Sequence, residues 1–327
     1  MRTTVWAFLL ALAPAIAADS TESLWDQHSS KGTTLERQGQ HTAAEREFVA
    51  ALPLAETLGA DDWRLPLTLH NLGTVTRELG RYPESERYYR RAISIWETHH
   101  PRLQVELAGT LQNLGALNLM WGRFSRAELN YRRAYELRLN ALGPSHPQVA
   151  ASLHGLAELA TARRRYPEAE ELYRQAIPIL EAAYGANSFT VADISHNLGV
   201  LYSEMHRDAE ARTLLERAAT IYDQTTPSHP NLATILCNLA NLDLKAGDLA
   251  SAGERLERAL RICEKSLPPD HQETAIVLAA YGKFLGETHR KKEAKLATER
   301  ARAILSQTAK ERGYAHTFDA SAFTRER

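Results

Sequence analysis

The sequence predicts an all-α solenoid built from antiparallel helix pairs, and three observations predict it. A leucine set in asparagine–leucine–glycine, or a close relative of that tripeptide, returns at Leu72, Leu114, Leu156, Leu198, Leu239 and Tyr281, at intervals of 42, 42, 42, 41 and 42 residues. Each period carries two stretches with apolar residues at helical spacing, and none shows the alternation of a half-buried strand. A turn, carrying glycine at Gly80, Gly122 and Gly247, separates the two stretches in register. A period held over two hundred residues describes an array of one small unit rather than a single globular core.

The first residues are of another kind. Arg2 is the only charge before Asp19, Val5 to Ala15 is an apolar run, and Ala15-Ile16-Ala17 is a small–x–small cleavage site. These are the three regions of a secretory signal peptide, expected to occupy 1–17. An uncleaved anchor helix is the alternative, but the run is short for a bilayer. Cleavage near Ala17 would leave a chain exported to the periplasm or beyond, with no membrane span in its mature form. Losing Arg2 takes the 39 basic residues to 38 against 40 acidic ones, a net charge of −2. Such a chain lacks the basic footprint of a nucleic-acid binder.

The repeat unit is plainest over 146–182. Val149, Leu153, Leu156 and Leu159 mark one face of its first helix. Arg164-Arg165-Tyr166-Pro167 makes the turn. Ala169, Leu172, Tyr173, Ala176, Ile177 and Leu180 line the second helix. Other turns read Gly80-Arg81-Tyr82-Pro83, Gly122-Arg123-Phe124 and Gly247-Asp248-Leu249. Glycine there permits a left-handed helix C-terminus, and proline just inside the next helix removes a donor that has no intrahelical partner. Small residues after the leucine (Gly73, Gly115, Ala157, Gly199, Ala240, Gly282) and in the second helix predict close helix approach, with Tyr89, Tyr131, Tyr173, Leu215 and Leu256 supplying bulk. Asp61, Ser145, Asn187, Ser228 and Asp270 are expected to cap the first helices. In the unit of Leu114 the place falls to Leu103, and Pro101 points to an earlier start.

These residues resemble the tetratricopeptide repeat, in its longer kinesin-light-chain form: leucine–glycine in the first helix, glycine and tyrosine at the turn, alanine–aromatic–alanine in the second. The His146-Pro147 and His229-Pro230 openings belong to the same likeness. It implies a right-handed superhelical solenoid of about seven repeats over 18–308. The repeats lie near 61–101, 102–144, 145–186, 187–227, 228–269 and 270–308. A degenerate unit at 22–60 precedes them, in which Gly39-Gln40-His41, Glu45 and Phe48 fit but Lys31 replaces the leucine. A tail of 309–327 follows, where Tyr314 to Asp319 either packs on the last hairpin or frays.

The resemblance also implies a concave groove that binds a protein or peptide segment, lined by the residues two before and two after each leucine. Carried onto this chain, the ligand-binding candidates are His70, Thr74, Gln112, His154, Glu158, His196, Cys237, Asn241 and Lys283, with Ala116, Val200 and Ala279 filling the remaining places. A polar ladder suits an extended peptide backbone. Ordinary surface polarity is the alternative, and Asn71, Asn113, Asn197 and Asn238 read better as bridges between adjacent helices. Only Lys283 falls where some family members clamp a C-terminal carboxylate.

No nucleophile elbow, phosphate loop, dinucleotide glycine motif or zinc-protease motif occurs. The expectation is a binding scaffold without catalysis, cofactor or metal, although His154, His196 and Cys237 align in successive units and carry zinc-ligand chemistry. A cell-envelope glycan-binding module is the alternative function, and an enzyme with a site in the groove the weakest. Cys237 is expected to point to the groove and Cys263 to the packing face, as two separate thiols. Lysine occurs once before residue 240, whereas Arg290, Lys291, Lys292, Lys295, Arg300 and Arg302 make the last repeat basic. A solvated face and an anionic partner both explain that.

Overall fold

The computed structural model describes the backbone of residues 4–311 and the side chains of residues 20–307. Fourteen α-helices and no strand occur among the described residues. Two compact units divide them, 1–141 and 142–327. The first holds α1 (Thr4–Arg37), α2 (His41–Leu58), α3 (Arg64–Glu78), α4 (Tyr82–His99), α5 (Gln104–Met120) and nearly all of α6 (Phe124–Leu142). The second holds α7 (Pro147–Ala162), α8 (Tyr166–Tyr184), α9 (Phe189–Glu204), α10 (Asp208–Thr225), α11 (Pro230–Ala246), α12 (Leu249–Ser266), α13 (Gln272–Glu287) and α14 (Lys291–Glu311). α1 starts well before the expected first repeat, α14 passes residue 308, and Tyr314 to Asp319 lie outside the described residues. The side chains of the expected cleavage site lie outside them too.

Within each unit, helices pack against their neighbours in sequence, and first helices also touch the next first helix, as in α1–α3–α5 and α9–α11–α13. The small residues explain the closeness. A Cβ built on Gly73 would sit 2.6 Å from the Tyr89 ring, and one on Gly115 2.7 Å from that of Tyr131. Tyr89, Tyr131 and Tyr173 are buried against these faces. Gly32 and Phe48 repeat the contact at 2.7 Å, so the degenerate unit keeps its helix lock despite Lys31. Arg64 ties the unit's entry together. It pairs with Glu22 at 2.7 Å and Asp62 at 2.8 Å and lies against the Trp25 and Trp63 rings.

Every hairpin closes in one way. The residue after the helix end is left-handed, and the next N–H returns to a carbonyl five residues back. Gly80 (φ 76°) donates to the Arg77 carbonyl at 2.9 Å and Arg81 to that of Thr76 at 2.8 Å. The same closure recurs at Gly39, Gly122 and Gly247, and at Arg164 (φ 57°), His206 (φ 58°) and His289 (φ 61°), which are not glycine. Arginine after the glycine then reaches the preceding hairpin: Arg81 pairs with Glu45, and Arg123 with Glu86 at 2.9 Å. In the second unit Arg207 does the same to Glu170 at 2.8 Å.

The expected caps shift by one or two residues. The N-cap positions are held by His146, Ser188, His229 and His271, with Trp63 at α3 and Leu103 at α5, and only the three histidines bond through their side chains. In three of them the histidine Nδ1 accepts the backbone N–H two residues on, at 3.2 Å from Gln148 and Asn231 and 3.3 Å from Glu273. The imidazole thus does what serine or aspartate was expected to do one place earlier. Proline follows directly at Pro147 and Pro230, where its fixed φ suits the first helical position. Pro101 does not start α5 early. It stands in the turn, and the helix begins at Gln104.

Candidate functional site

The expected ladder residues are held by the helix phase, but their side chains face different things. In the first unit His70 is half-buried and committed on both ring nitrogens. Its Nδ1 lies 3.0 Å from Thr110 Oγ1, and Asn113 Nδ2 donates to its Nε2 at 3.3 Å. Thr110 gives its hydroxyl proton to the Glu106 carbonyl at 3.1 Å, so Nδ1 carries the imidazole proton. Burial pushes the His70 pKa down to about 4. Thr74 meets the Tyr89 hydroxyl at 3.1 Å, and Gln112 accepts from Arg138 Nη1 at 3.4 Å.

The second unit repeats the bridge. Asn197 Nδ2 donates to His154 Nε2 at 2.7 Å, and Asn238 Nδ2 to His196 Nε2 at 2.8 Å. His154 also stands 3.5 Å from Glu158, one helical turn on. Burial lowers the His196 pKa to about 4. Each histidine of the ladder is followed one repeat later by asparagine before the leucine: His70 by Asn113, His154 by Asn197, His196 by Asn238. Gln112 and Cys237 are followed by Gly155 and Ala280. The bridging role expected of Asn113, Asn197 and Asn238 is seen, whereas their histidine partners, readable in the same register, were not foreseen.

Cys237 departs from its expected place. It is 2% exposed, packed inside rather than presented to the groove. Cys263 is also buried, both are free thiols, and desolvation pushes their pKa values up to about 12 and about 11. Low thiolate content makes both poor nucleophiles and poor metal ligands. Among the described residues no group of three or more His, Cys, Asp or Glu could hold a metal ion, and no helix is long and apolar enough to cross a membrane.

The positions two after the leucine behave differently. Val200 (α9), Asn241 (α11) and Lys283 (α13) line one cavity of about 620 Å³ in the second unit. One turn further along the first helices, Ser203, Glu204 and Lys245 continue the wall. Two hairpin turns add Arg164, Tyr166 and His206, and Leu215 and Asn238 complete the lining. Lys245 is anchored to Ser203 Oγ at 3.2 Å and Asp208 Oδ1 at 3.1 Å. Glu204 and Lys245 were legible in principle, being four residues beyond Val200 and Asn241 on the same helical face. The turn residues were not, because their direction depends on the left-handed backbone.

Overlapping matches to the tetratricopeptide repeat model cover 27–98, 65–140, 110–182, 148–224, 190–265 and 231–307. The chain belongs to the tetratricopeptide repeat family. No curated protein matches this repeat protein. Among solved structures it is similar to BtubC (BKLC) from P. vanneervenii, with TM-score 0.55 and 24% identity over 75% of this chain and 91% of that one. Kinesin-light-chain repeats, nearly identical to one another, from Podosopora anserina give TM-score 0.50 and 24% identity, covering 61% and 95%. A Rap protein complexed with Competence and Sporulation Factor gives TM-score 0.66 and 15% identity, covering 88% and 76%. At these identities the likeness concerns the fold.

Proposed function

We propose that this tetratricopeptide repeat protein is an exported scaffold that holds a peptide or segment of a partner protein in the groove of its second unit, without catalysis. The observation carrying this reading is the cavity where Val200, Asn241 and Lys283, equivalent residues of three successive repeats, face one space. Equivalent side chains spaced along one wall suit an extended chain better than a compact small molecule. Family membership supports protein binding, and the Rap protein of the same fold is known bound to a factor. The apolar run and small–x–small site of residues 1–17 support export. The ladder histidines then serve the wall, and the residues two after each leucine serve the ligand.

The test places a photo-cross-linking amino acid at Asn241 and, as a control, at the exposed Leu129 in the first unit. The protein is irradiated in its native compartment. A protein adduct specific to position 241 is expected. Glycan adducts there, or the same adducts at both positions, would overturn the reading.

A further inference from the structure

We infer that the first unit binds a phenol ring in a cavity between α4, α5 and α6, a site independent of the groove reading above. The cavity measures about 390 Å³, which is within the usual size of small-ligand pockets. Ile93 on α4 and Leu111 and Leu114 on α5 give it apolar walls, and Arg90, Asn118 and Asn130 bring polar groups to it.

One of those polar groups is unsatisfied. Asn118 is 2% exposed, and its Nδ2 donates to the Leu114 carbonyl at 2.8 Å. Its Oδ1 is buried without a hydrogen-bond partner. A buried acceptor left without a donor is costly and calls for an explanation. Other polar side chains at this position of the repeat are bonded. Thr76 gives its hydroxyl proton to the Leu72 carbonyl at 2.6 Å, and Asp243 accepts from Arg212 at 2.7 Å and from Arg255.

The chain supplies its own template for what the cavity holds. Two repeats apart, Glu86, Arg90, Asn118 and Arg123 take the places of Glu170, Arg174, Tyr202 and Arg207. In both units the glutamate holds both arginines. Glu86 pairs with Arg90 at 2.7 Å and Arg123 at 2.9 Å, and Glu170 pairs with Arg174 and Arg207 at 2.8 Å each. A second ion pair recurs beside them, Arg133 with Glu97 and Arg217 with Glu181, both at 2.6 Å.

In the second unit this frame grips a phenol, that of Tyr202. The Tyr202 hydroxyl donates to Glu170 Oε1 at 3.0 Å and accepts from Arg174 Nη2 at 3.5 Å. The Arg207 guanidinium stands 4.0 Å from the ring centre. In the first unit the frame is the same, but the side chain at the tyrosine position is asparagine, which stops short of it. Arg123 lies over the Trp121 ring at 3.4 Å here, so Glu86 and Arg90 are the parts of the frame left to meet a hydroxyl.

The chemistry suits a neutral ring with one hydroxyl. The arginines around the cavity are paired: Arg90 and Arg126 with Glu86, and Arg133 with Glu97. They offer directed hydrogen bonds rather than surplus charge. A phenol hydroxyl both donates and accepts, as the glutamate–arginine pair requires. Its ring would lie against Ile93, Leu111 and Leu114, with the positive ring edge toward Asn118 Oδ1.

Saturation-transfer NMR titrations of the purified protein with p-cresol, toluene and N-acetyltyrosinamide test this. p-Cresol should bind about tenfold more tightly than toluene, which lacks the hydroxyl. Asn118→Tyr puts the chain's own phenol in the frame, and should abolish p-cresol binding while raising the thermal midpoint. Arg90→Ala, a change at an exposed side chain, should weaken p-cresol and leave toluene unchanged. N-acetyltyrosinamide binding at least as tightly as p-cresol assigns the phenol to a tyrosine of a protein chain, and weaker binding assigns it to a free small phenol. No binding of p-cresol, an equal affinity for toluene, or p-cresol binding that persists in Asn118→Tyr overturns the site. If Asn118→Tyr does not fold, Arg90→Ala decides, and an unchanged p-cresol affinity there overturns it.

Discussion

Asn197 on α9 gives its amide proton to His154 Nε2 on α7 across 2.7 Å, joining one repeat to the next through two side chains. The bond links equivalent surfaces of adjacent units, where a solenoid's stability resides. His154→Ala and Asn197→Ala are each expected to destabilise the protein by about 1–2 kcal/mol, since each leaves the partner's polar group half-buried and unsatisfied. The double variant should fall short of the sum by about 0.5–1.5 kcal/mol. Urea unfolding of the four proteins measures the cycle. Strict additivity would show that the bridge is incidental.

Acid should loosen the same bridges elsewhere. His70 and His196 have folded pKa values near 4, below the ordinary 6.5, because burial disfavours the imidazolium. The neutral ring is therefore favoured by folding. Its contribution is complete above the ordinary value and is lost as pH falls from 6.5 through 4. Carboxylates titrate at the lower end of that window, so the difference between wild type and a His70→Gln, His196→Gln variant isolates the histidines. The wild-type advantage in urea midpoint should shrink steadily on acidification. A pH-independent gap would contradict it.

Two glycines on first helices should respond oppositely to alanine. At Gly73 the new methyl meets the Tyr89 ring at 2.6 Å in a fully packed interior, and a loss of about 1–3 kcal/mol is expected. Gly286 has open space around its Cβ position and lies inside α13, so Gly286→Ala should gain about 0.5–1 kcal/mol from helix propensity. Thermal melts read both. Equal shifts in the two variants would mean that packing does not set the requirement for glycine.

The turns offer a matching pair. His289 holds φ 61° without lining the cavity, and His289→Gly should stabilise by roughly 0.5–1 kcal/mol by removing left-handed strain. Gly80→Ala should cost about 1–2 kcal/mol for the reverse reason. Urea midpoints decide the matter, and a destabilised His289→Gly would show that its side chain is needed there.

The fold was legible because its determinants repeat. Leucine, a small residue after it, a turn and alanine recur in most of the units, so chance loses its hold on any one position. Helix caps were placed early because histidine is not an expected cap, and only the Nδ1 geometry at His146, His229 and His271 reveals it. The groove was read partly. Lys283 and Asn241 line the cavity as helical phase requires, whereas Cys237 is buried, because the same phase says nothing about how deeply a small side chain sinks between helices. Arg164 and His206 were invisible as lining residues, since the expected turn residue was glycine and a left-handed backbone alone sends their side chains to the rim.

Each hairpin is closed by main-chain hydrogen bonds, such as Arg81 N–H to the Thr76 carbonyl and Arg165 N–H to that of Ala160, both 2.8 Å. Because the closure draws on no side chain, the residue at its apex is chemically uncommitted. Seven such apices recur among the described residues, so new specificity could be written there one letter at a time while the helices beneath stay as they are.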